Sequence, residues 1–168
     1  MAAMGLSFLG DLLLLDVKEI RKKIPVYFQL GAIAFGLAHL CYAMAYMQLL
    51  KTTESGMVFN LGSGISLVIM ICIGAYFAGV CLKRKTRGYL SVVTFYILFI
   101  GFAFCTVFTY GVAAGIDKWR SIGAVLGAMA FVTSDFCLGA SRIAGLKRFG
   151  RWIWVFYPVG QFLLILCG

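Results

Sequence analysis

The sequence predicts an all-α protein: a polytopic bundle of membrane helices that forms a single transmembrane domain over residues 1–168. Of its 168 residues 62% are hydrophobic and only 12% are charged, and the mean hydropathy is +0.99. A soluble domain has about 25% charged residues, so this chain has too few polar side chains to cover a globule in water. The composition therefore excludes a soluble enzyme, a disordered chain and a disulfide-rich secreted module.

The apolar residues stand in six runs, of which five are long enough to cross a bilayer. A hydrocarbon core of about 30 Å requires roughly 20 apolar residues in a helix. The five predicted spans are residues 26–50, 57–82, 88–114, 121–141 and 152–168. Trp119 precedes the fourth of these spans, and Trp152 and Trp154 open the last. Tryptophans are enriched at membrane interfaces, so these positions support the predicted boundaries.

The first run, residues 2–15, is shorter than the others. As a helix it is ~21 Å long, which falls short of a comfortable span. No basic region precedes it, Asp11 interrupts it, and no small-residue cleavage site follows, so it lacks the pattern of a signal peptide. We therefore expect about six transmembrane segments with a short first one, in a chain that begins partway through a longer architecture.

The basic residues predict the orientation of these segments. All of the 15 except Lys51, Lys118 and Arg120 lie in the loops that follow the first, third and fifth segments. The positive-inside rule places those three loops in the cytoplasm and both chain ends on the opposite side. The three loops contain Lys18, Arg21, Lys22 and Lys23, then Lys83, Arg84, Lys85 and Arg87, then Arg142, Lys147, Arg148 and Arg151.

The net charge of +9 is accounted for by this topology, so no nucleic-acid partner is expected. The lipid bilayer is the expected surrounding: the endoplasmic reticulum membrane in a eukaryote, or the inner membrane in a bacterium. All six cysteines lie in or at the ends of apolar runs without a CxxC pair. We interpret them as packing residues and predict no cofactor and no metal site.

Three ionisable side chains lie inside the predicted spans, namely Asp11, His39 and Asp135. An aspartate near the centre of a membrane helix costs about 2.5–3.5 kcal/mol on insertion scales, and such residues commonly mark function. We therefore predict these three as catalytic residues. Each also has a structural interpretation, because a buried acid or histidine can form a hydrogen bond that joins two helices.

Uncharged polar residues accompany them and are the predicted substrate-binding residues: Tyr42, Tyr96, Ser134, Tyr157 and Gln161. Counting from the basic loops at 1.5 Å per residue places the two acids, Tyr96 and Tyr157 at ~9–14 Å from the cytoplasmic charge layer. Gln161 lies one turn deeper than Tyr157, and His39 lies at ~18–24 Å. Residues from several helices are thus predicted to converge, although tyrosine and glutamine also serve as interhelical contacts.

A weak internal repeat supports the same convergence. Asp11 and Asp135 each precede a basic loop and a second helix, which carries His39 in the first case and Gln161 in the second. The two acidic segments run in the same direction, so the pattern indicates a parallel repeat with the site at its interface. Gly10 and Ser134 directly precede the acids, and such small residues allow close helix approach.

The sequence resembles the YhhN-like family of membrane proteins, which includes the lysoplasmalogenases. Four stretches in order carry the resemblance over essentially the whole chain: residues 6–11 (LSFLGD), 38–42 (AHLCY) within 31–46, 131–135 (FVTSD) and 157–161 (YPVGQ). They are similar to the family's Gly-Asp, His-x-x-Tyr, Ser-Asp and Tyr-Tyr-x-x-Gln helices. Tyr96 falls where the family has a mid-membrane tyrosine.

The sequence departs from the family pattern in two ways. Family members have about eight helices, so the resemblance implies an N-terminally shortened form. Pro158 stands where the second tyrosine of the closing motif is expected. Since proline lacks a backbone N–H, we expect a kink in the last helix.

The resemblance implies hydrolysis of the vinyl ether bond of lysoplasmalogens, lysophospholipids that carry choline or ethanolamine. The products are a fatty aldehyde and glycerophosphocholine or glycerophosphoethanolamine. Protonation of the vinyl β-carbon requires an acid that stays protonated, and a second carboxylate can stabilise the resulting cation, as in glycoside hydrolysis. Asp11 and Asp135 supply such a pair in either order, with His39 positioning water.

Other functions remain open from the sequence. A proton- or ion-coupled transporter would use the same intramembrane groups, and a helix broken at residues 62–64 (GSG) would favour it. A metal hydrolase with Asp11, His39 and Asp135 as ligands, and a non-catalytic lipid-binding remnant, are further alternatives. A homo-oligomer is compatible with each of these functions.

Overall fold

The computed structural model of the chain describes residues 2–14, 26–53, 60–84, 87–115 and 117–168. Within them it contains six α-helices and no strand. Five of these helices are long and apolar enough to cross a membrane, so the predicted bundle of membrane helices is confirmed. The helices are α1 (Ala2–Leu14), α2 (Tyr27–Lys51), α3 (Leu61–Lys83), α4 (Leu90–Ala113), α5 (Trp119–Arg142) and α6 (Gly150–Cys167).

The predicted spans agree with these helices to within a few residues, except at the start of α3. That helix begins after Asn60, whose side chain accepts a hydrogen bond from the Ser63 backbone N–H at 3.2 Å. The Ser63 hydroxyl in turn accepts from the Asn60 N–H at 2.9 Å, which completes a capping box. Residues 57–59 of the predicted span lie outside the described residues.

Residues 62–64 form part of the uninterrupted first turns of α3. The helix is therefore not broken at these residues, so this argument for a transporter is absent. The capping box satisfies N-terminal backbone groups and lets the helix start directly before the glycines. The last helix also continues through Pro158, from Gly150 to Cys167. The first basic loop lies outside the described residues, within positions 15–25.

Most helices pack against their neighbours in sequence, and α2 also packs against α4. Helix α2 packs against α1 and α4, α4 also contacts α3 and α5, and α5 packs along α6. Bulky side chains such as Phe35, Tyr46 and Phe131 form the interior of the bundle. Many large apolar side chains point outward, for example Leu61 at 75% and Trp154 at 74% exposure, as expected for helices surrounded by lipid.

Helices α5 and α6 cross closely at Gly127 and Gly160. A Cβ at Gly160 would lie 2.8 Å from the backbone nitrogen of Phe131 and 3.0 Å from the carbonyl oxygen of Gly127. Small residues allow helices in membranes to approach this closely. Because Tyr157 and Gln161 flank Gly160, this contact also determines where two of the predicted site residues lie.

Gly160→Ala is expected to destabilise the bundle by about 1–3 kcal/mol, the usual cost of overpacking. The atoms that face the new methyl group belong to backbone and cannot move independently of α5. Thermal denaturation in detergent measures the effect. Gly79→Ala is the matched control, because a Cβ at Gly79 meets no atom within 4 Å. Equal melting temperatures of the two variants would contradict the prediction.

Candidate active site

Polar side chains from five of the six helices meet inside the bundle in two groups. The Asp135 cluster consists of Asp135, Tyr96 and His39, from α5, α4 and α2. The Asp11 cluster joins α1, α2 and α6, and its members are Asp11, Ser7, Tyr42, Tyr157 and Gln161. Each cluster contains one of the two intramembrane acids.

In the Asp135 cluster, one carboxylate oxygen faces two side chains. The Tyr96 hydroxyl donates to Asp135 Oδ2 at 2.8 Å, and His39 Nε2 lies 3.8 Å from the same oxygen. The second distance is too long for a hydrogen bond. The side chains of His39 and Asp135 are only 5% and 10% exposed, so this oxygen is shielded from bulk solvent and lipid headgroups.

The orientation of the His39 ring follows from a hydrogen bond within its own helix. Nδ1 lies 2.7 Å from the carbonyl oxygen of Phe35, four residues earlier. A carbonyl oxygen only accepts, so Nδ1 carries the hydrogen and the neutral ring presents the lone pair of Nε2. Among the described residues Nε2 has no hydrogen-bond partner, although it is buried. Such an unsatisfied group requires an explanation, and a site for water or substrate beside Asp135 provides one.

A cavity of about 70 Å³ adjoins Asp135 and is lined by residues of α1 to α5. Its walls are apolar except for Tyr96 and Asp135. Leu14, Phe28 and Ile143 lie at its outer part, near helix ends that connect to the predicted cytoplasmic loops. The Asp135 carboxyl group thus lies in the wall of a cavity that reaches these helix ends.

A smaller cavity of about 20 Å³ lies against His39 and Tyr42, with apolar residues around them. This volume suffices for about one water molecule. His39 therefore lies between Asp135, which lines the large cavity, and a second small space deeper in the bundle.

The Asp11 cluster is a chain of hydrogen bonds across three helices. The Tyr157 hydroxyl donates to Asp11 Oδ2 at 2.7 Å, and the Tyr42 hydroxyl donates to Gln161 Oε1 at 2.6 Å. The amide of Gln161 donates in turn to the Ser7 hydroxyl at 3.1 Å. Asp11 is about half-buried, so it is less enclosed than Asp135, whose side chain is 10% exposed.

Aromatic rings lie between the two clusters. The ring of Tyr157 packs edge-on against Phe35 and Phe131, with centroids 5.9 and 5.4 Å apart, and Phe131 lies 4.8 Å from the His39 ring. The sequence predicted one convergent group of polar residues. In the structure, hydrogen bonds join these residues in two clusters, and His39 of one cluster and Tyr42 of the other line the same small cavity.

Two residues differ from the predicted set in their placement. Ser134 is buried at 1% exposure, but the hydrogen bonds of the two clusters do not include it, and its role in substrate binding stays a prediction. Ser7 was not predicted as a site residue, yet it accepts from Gln161. Its position four residues before Asp11 places both on one helix face, and that spacing was the available signal.

The cysteines and potential metal ligands do not add to the site. Cys41, Cys72, Cys105, Cys137 and Cys167 are free thiols. Within the described ranges, no three or more His, Cys, Asp or Glu side chains are arranged to hold a metal ion.

The fold and these clusters define an integral membrane protein that encloses carboxyl, imidazole and phenol groups within its helix bundle. The sequence model of the YhhN family matches residues 1–167, and the chain belongs to this family, as the four motifs predicted. Searches of curated proteins and of solved structures find no match to the chain.

Proposed function

We propose that this protein hydrolyses the vinyl ether bond of lysoplasmalogens and releases a fatty aldehyde. The observation that carries the proposal is the position of the Asp135 carboxyl group in the wall of an apolar cavity between the helices. Membership of the YhhN family, which is associated with lysoplasmalogenase activity, supports the same reaction.

Asp135 is the residue best placed to donate the proton. Apolar walls disfavour a charged carboxylate, so the protonated acid is the form that such a cavity stabilises. Tyr96 donates to Oδ2, which leaves Oδ1 to carry the acid proton toward substrate. Asp135 lies seven residues from Arg142, or ~10 Å along the helix. This depth suits an ether bond just below a lipid headgroup.

The reaction balances with one water molecule. Proton transfer from Asp135 to the vinyl β-carbon forms a C–H bond and leaves an oxocarbenium ion at the α-carbon. Water attacks that carbon and loses one proton to the Asp135 carboxylate, which restores the acid and yields a hemiacetal. The hemiacetal C–O bond to glycerol then breaks, and the hydroxyl proton moves to the glycerol oxygen. This releases the fatty aldehyde and glycerophosphocholine or glycerophosphoethanolamine.

His39 and Asp11 have supporting roles in this proposal. The exposed lone pair of His39 Nε2, 3.8 Å from Asp135 Oδ2, accepts a hydrogen bond from the attacking water and orients it. Asp11 contributes negative charge that stabilises the oxocarbenium ion. Tyr157 holds the Asp11 carboxylate in place through the 2.7 Å hydrogen bond, while Tyr42 and Gln161 join the supporting helices.

The test is an assay of the purified protein in detergent with lysoplasmenylcholine. We expect stoichiometric release of fatty aldehyde and glycerophosphocholine, and no cleavage of the 1-O-alkyl analogue, which lacks the double bond that accepts the proton. An absence of aldehyde from an intact, folded preparation would contradict the proposal. Movement of an unmodified solute across proteoliposomes would instead favour the transporter alternative.

A further inference from the structure

We propose that Arg84, at the cytoplasmic end of the cavity, binds the phosphate group of the lipid substrate. This inference rests on the proposed function, because it assigns the headgroup position of the same substrate. Arg84 follows the last residue of α3, and its side chain is exposed.

Arg84 continues the face of α3 that borders the cavity. Phe77 lines the cavity, and Cys81 on the next turn is fully buried in a cluster with Phe77 and Val93. Positions three and four apart share a helix face. Arg84, three residues after Cys81, therefore lies above the cavity wall on its outer side.

The guanidinium group crosses from α3 to the loop between α5 and α6. A Cβ at Gly145 would lie 2.7 Å from Arg84 Nη1, and the φ angle of Gly145 is +68°. A glycine is favoured at this backbone angle, and the missing side chain leaves room for the guanidinium. Gly145 comes two residues after Ile143, which lines the outer part of the cavity. Arg84 thus lies directly beside the cavity entrance.

Among the described residues, the charged side chains next to Arg84 and Gly145 in sequence are basic. Lys83 precedes Arg84, and Lys147 and Arg148 follow Gly145 closely in the loop. Of the described carboxylates, Asp11 and Asp135 lie inside the bundle, and Asp117 lies between α4 and α5 at the opposite end of the helices. An anionic group of a ligand therefore matches this position, and arginine pairs with phosphate through two parallel hydrogen bonds.

The axial distance between Asp135 and the outer part of the cavity fits the substrate. Ile143 lies eight residues beyond Asp135, or ~12 Å along the helix axis. In a lysoplasmalogen, seven bonds separate the vinyl β-carbon from phosphorus, which gives ~9 Å when extended, given bond lengths near 1.5 Å. A phosphate–guanidinium hydrogen bond adds ~3 Å. The lipid can thus contact Asp135 with its vinyl group while its phosphate contacts Arg84.

The experiment measures binding of lipids that cannot be cleaved. Wild type, Arg84→Gln and Lys83→Gln are titrated in detergent with a 1-O-alkyl lysophosphocholine and with the neutral 1-O-alkylglycerol of the same chain length. We expect Arg84→Gln to raise the Kd of the phosphate-containing lipid about tenfold, the value of a charge-assisted hydrogen bond. Lys83→Gln, which removes an equal charge on the same turn, and the neutral lipid should show no change.

Further arms separate the other outcomes. Arg84→Lys keeps the charge but loses the paired geometry, so we expect an intermediate Kd; this variant also serves if Arg84→Gln does not fold. Displacement of the lipid by inorganic phosphate at equal concentration would assign the position to free phosphate and overturn the lipid assignment.

Equal Kd values for wild type, Arg84→Gln and Arg84→Lys would overturn the proposal whether or not the protein cleaves vinyl ethers. Conversely, Arg84-dependent binding without aldehyde release by the wild type would overturn the proposed activity and leave the phosphate site in place.

Discussion

Asp135→Asn is expected to lower kcat for lysoplasmenylcholine about 10²–10⁴-fold, the usual contribution of a general acid. Asparagine has nearly the same shape, and its carbonyl oxygen can still accept the Tyr96 hydrogen bond, which spans 2.8 Å in the native protein. The variant lacks only the transferable proton. We therefore expect its melting temperature and its affinity for the 1-O-alkyl analogue to remain close to those of wild type.

Asp117→Asn is the matched control for this experiment, because Asp117 is exposed between α4 and α5 and remote from the cavity. Its turnover should equal that of wild type. Undiminished aldehyde release by Asp135→Asn would show that another group protonates the vinyl carbon.

Asp11→Asn is expected to reduce kcat about 10²-fold with little change in KM, in line with the loss of an electrostatic group that acts on the transition state. The hydrogen bond from Tyr157 persists in this variant, so helix packing is retained while the negative charge is removed. Tyr157→Phe provides the comparison, since it removes the hydrogen bond but keeps the Asp11 carboxyl group. We expect a smaller loss of kcat there.

The double variant Asp11→Asn, Asp135→Asn tests whether the two acids act in one step. Groups that act as a unit are strongly non-additive, so the double variant should be about as slow as Asp135→Asn alone. Multiplicative losses would indicate independent contributions. Wild-type turnover in both single variants would refute the two-acid mechanism.

Helix positions were largely predictable from the sequence because each long helix here is apolar along its entire length. The bilayer requirement for about 20 apolar residues identifies such segments without knowledge of their partners. The start of α3 at Leu61 was not predictable, because the capping box of Asn60 and Ser63 is a local hydrogen-bond pattern that hydrophobicity does not reveal.

The candidate site was only partly predictable. Depth along each helix follows from residue counting, which placed both acids, Tyr96 and Tyr157 at a similar depth. The structure decides the pairing: hydrogen bonds join Tyr96 to Asp135 and Tyr157 to Asp11. Residue counting does not determine which way a helix is rotated in a bundle that is apolar on all sides. The participation of Ser7 and the packing of Tyr157 against Phe35 and Phe131 depend on that rotation.

The sequence by itself determined that this chain is a bundle of membrane helices of the YhhN family and which polar residues lie within it, because burying an ionisable group in lipid is so costly that few positions contain one. Only the tertiary structure decided which acid faces a cavity and which nitrogen of His39 is free. It also decided that Arg84, after α3, lies close to Gly145 in the loop between α5 and α6. Those features depend on contacts between residues distant in sequence, and the packing of six helices creates them.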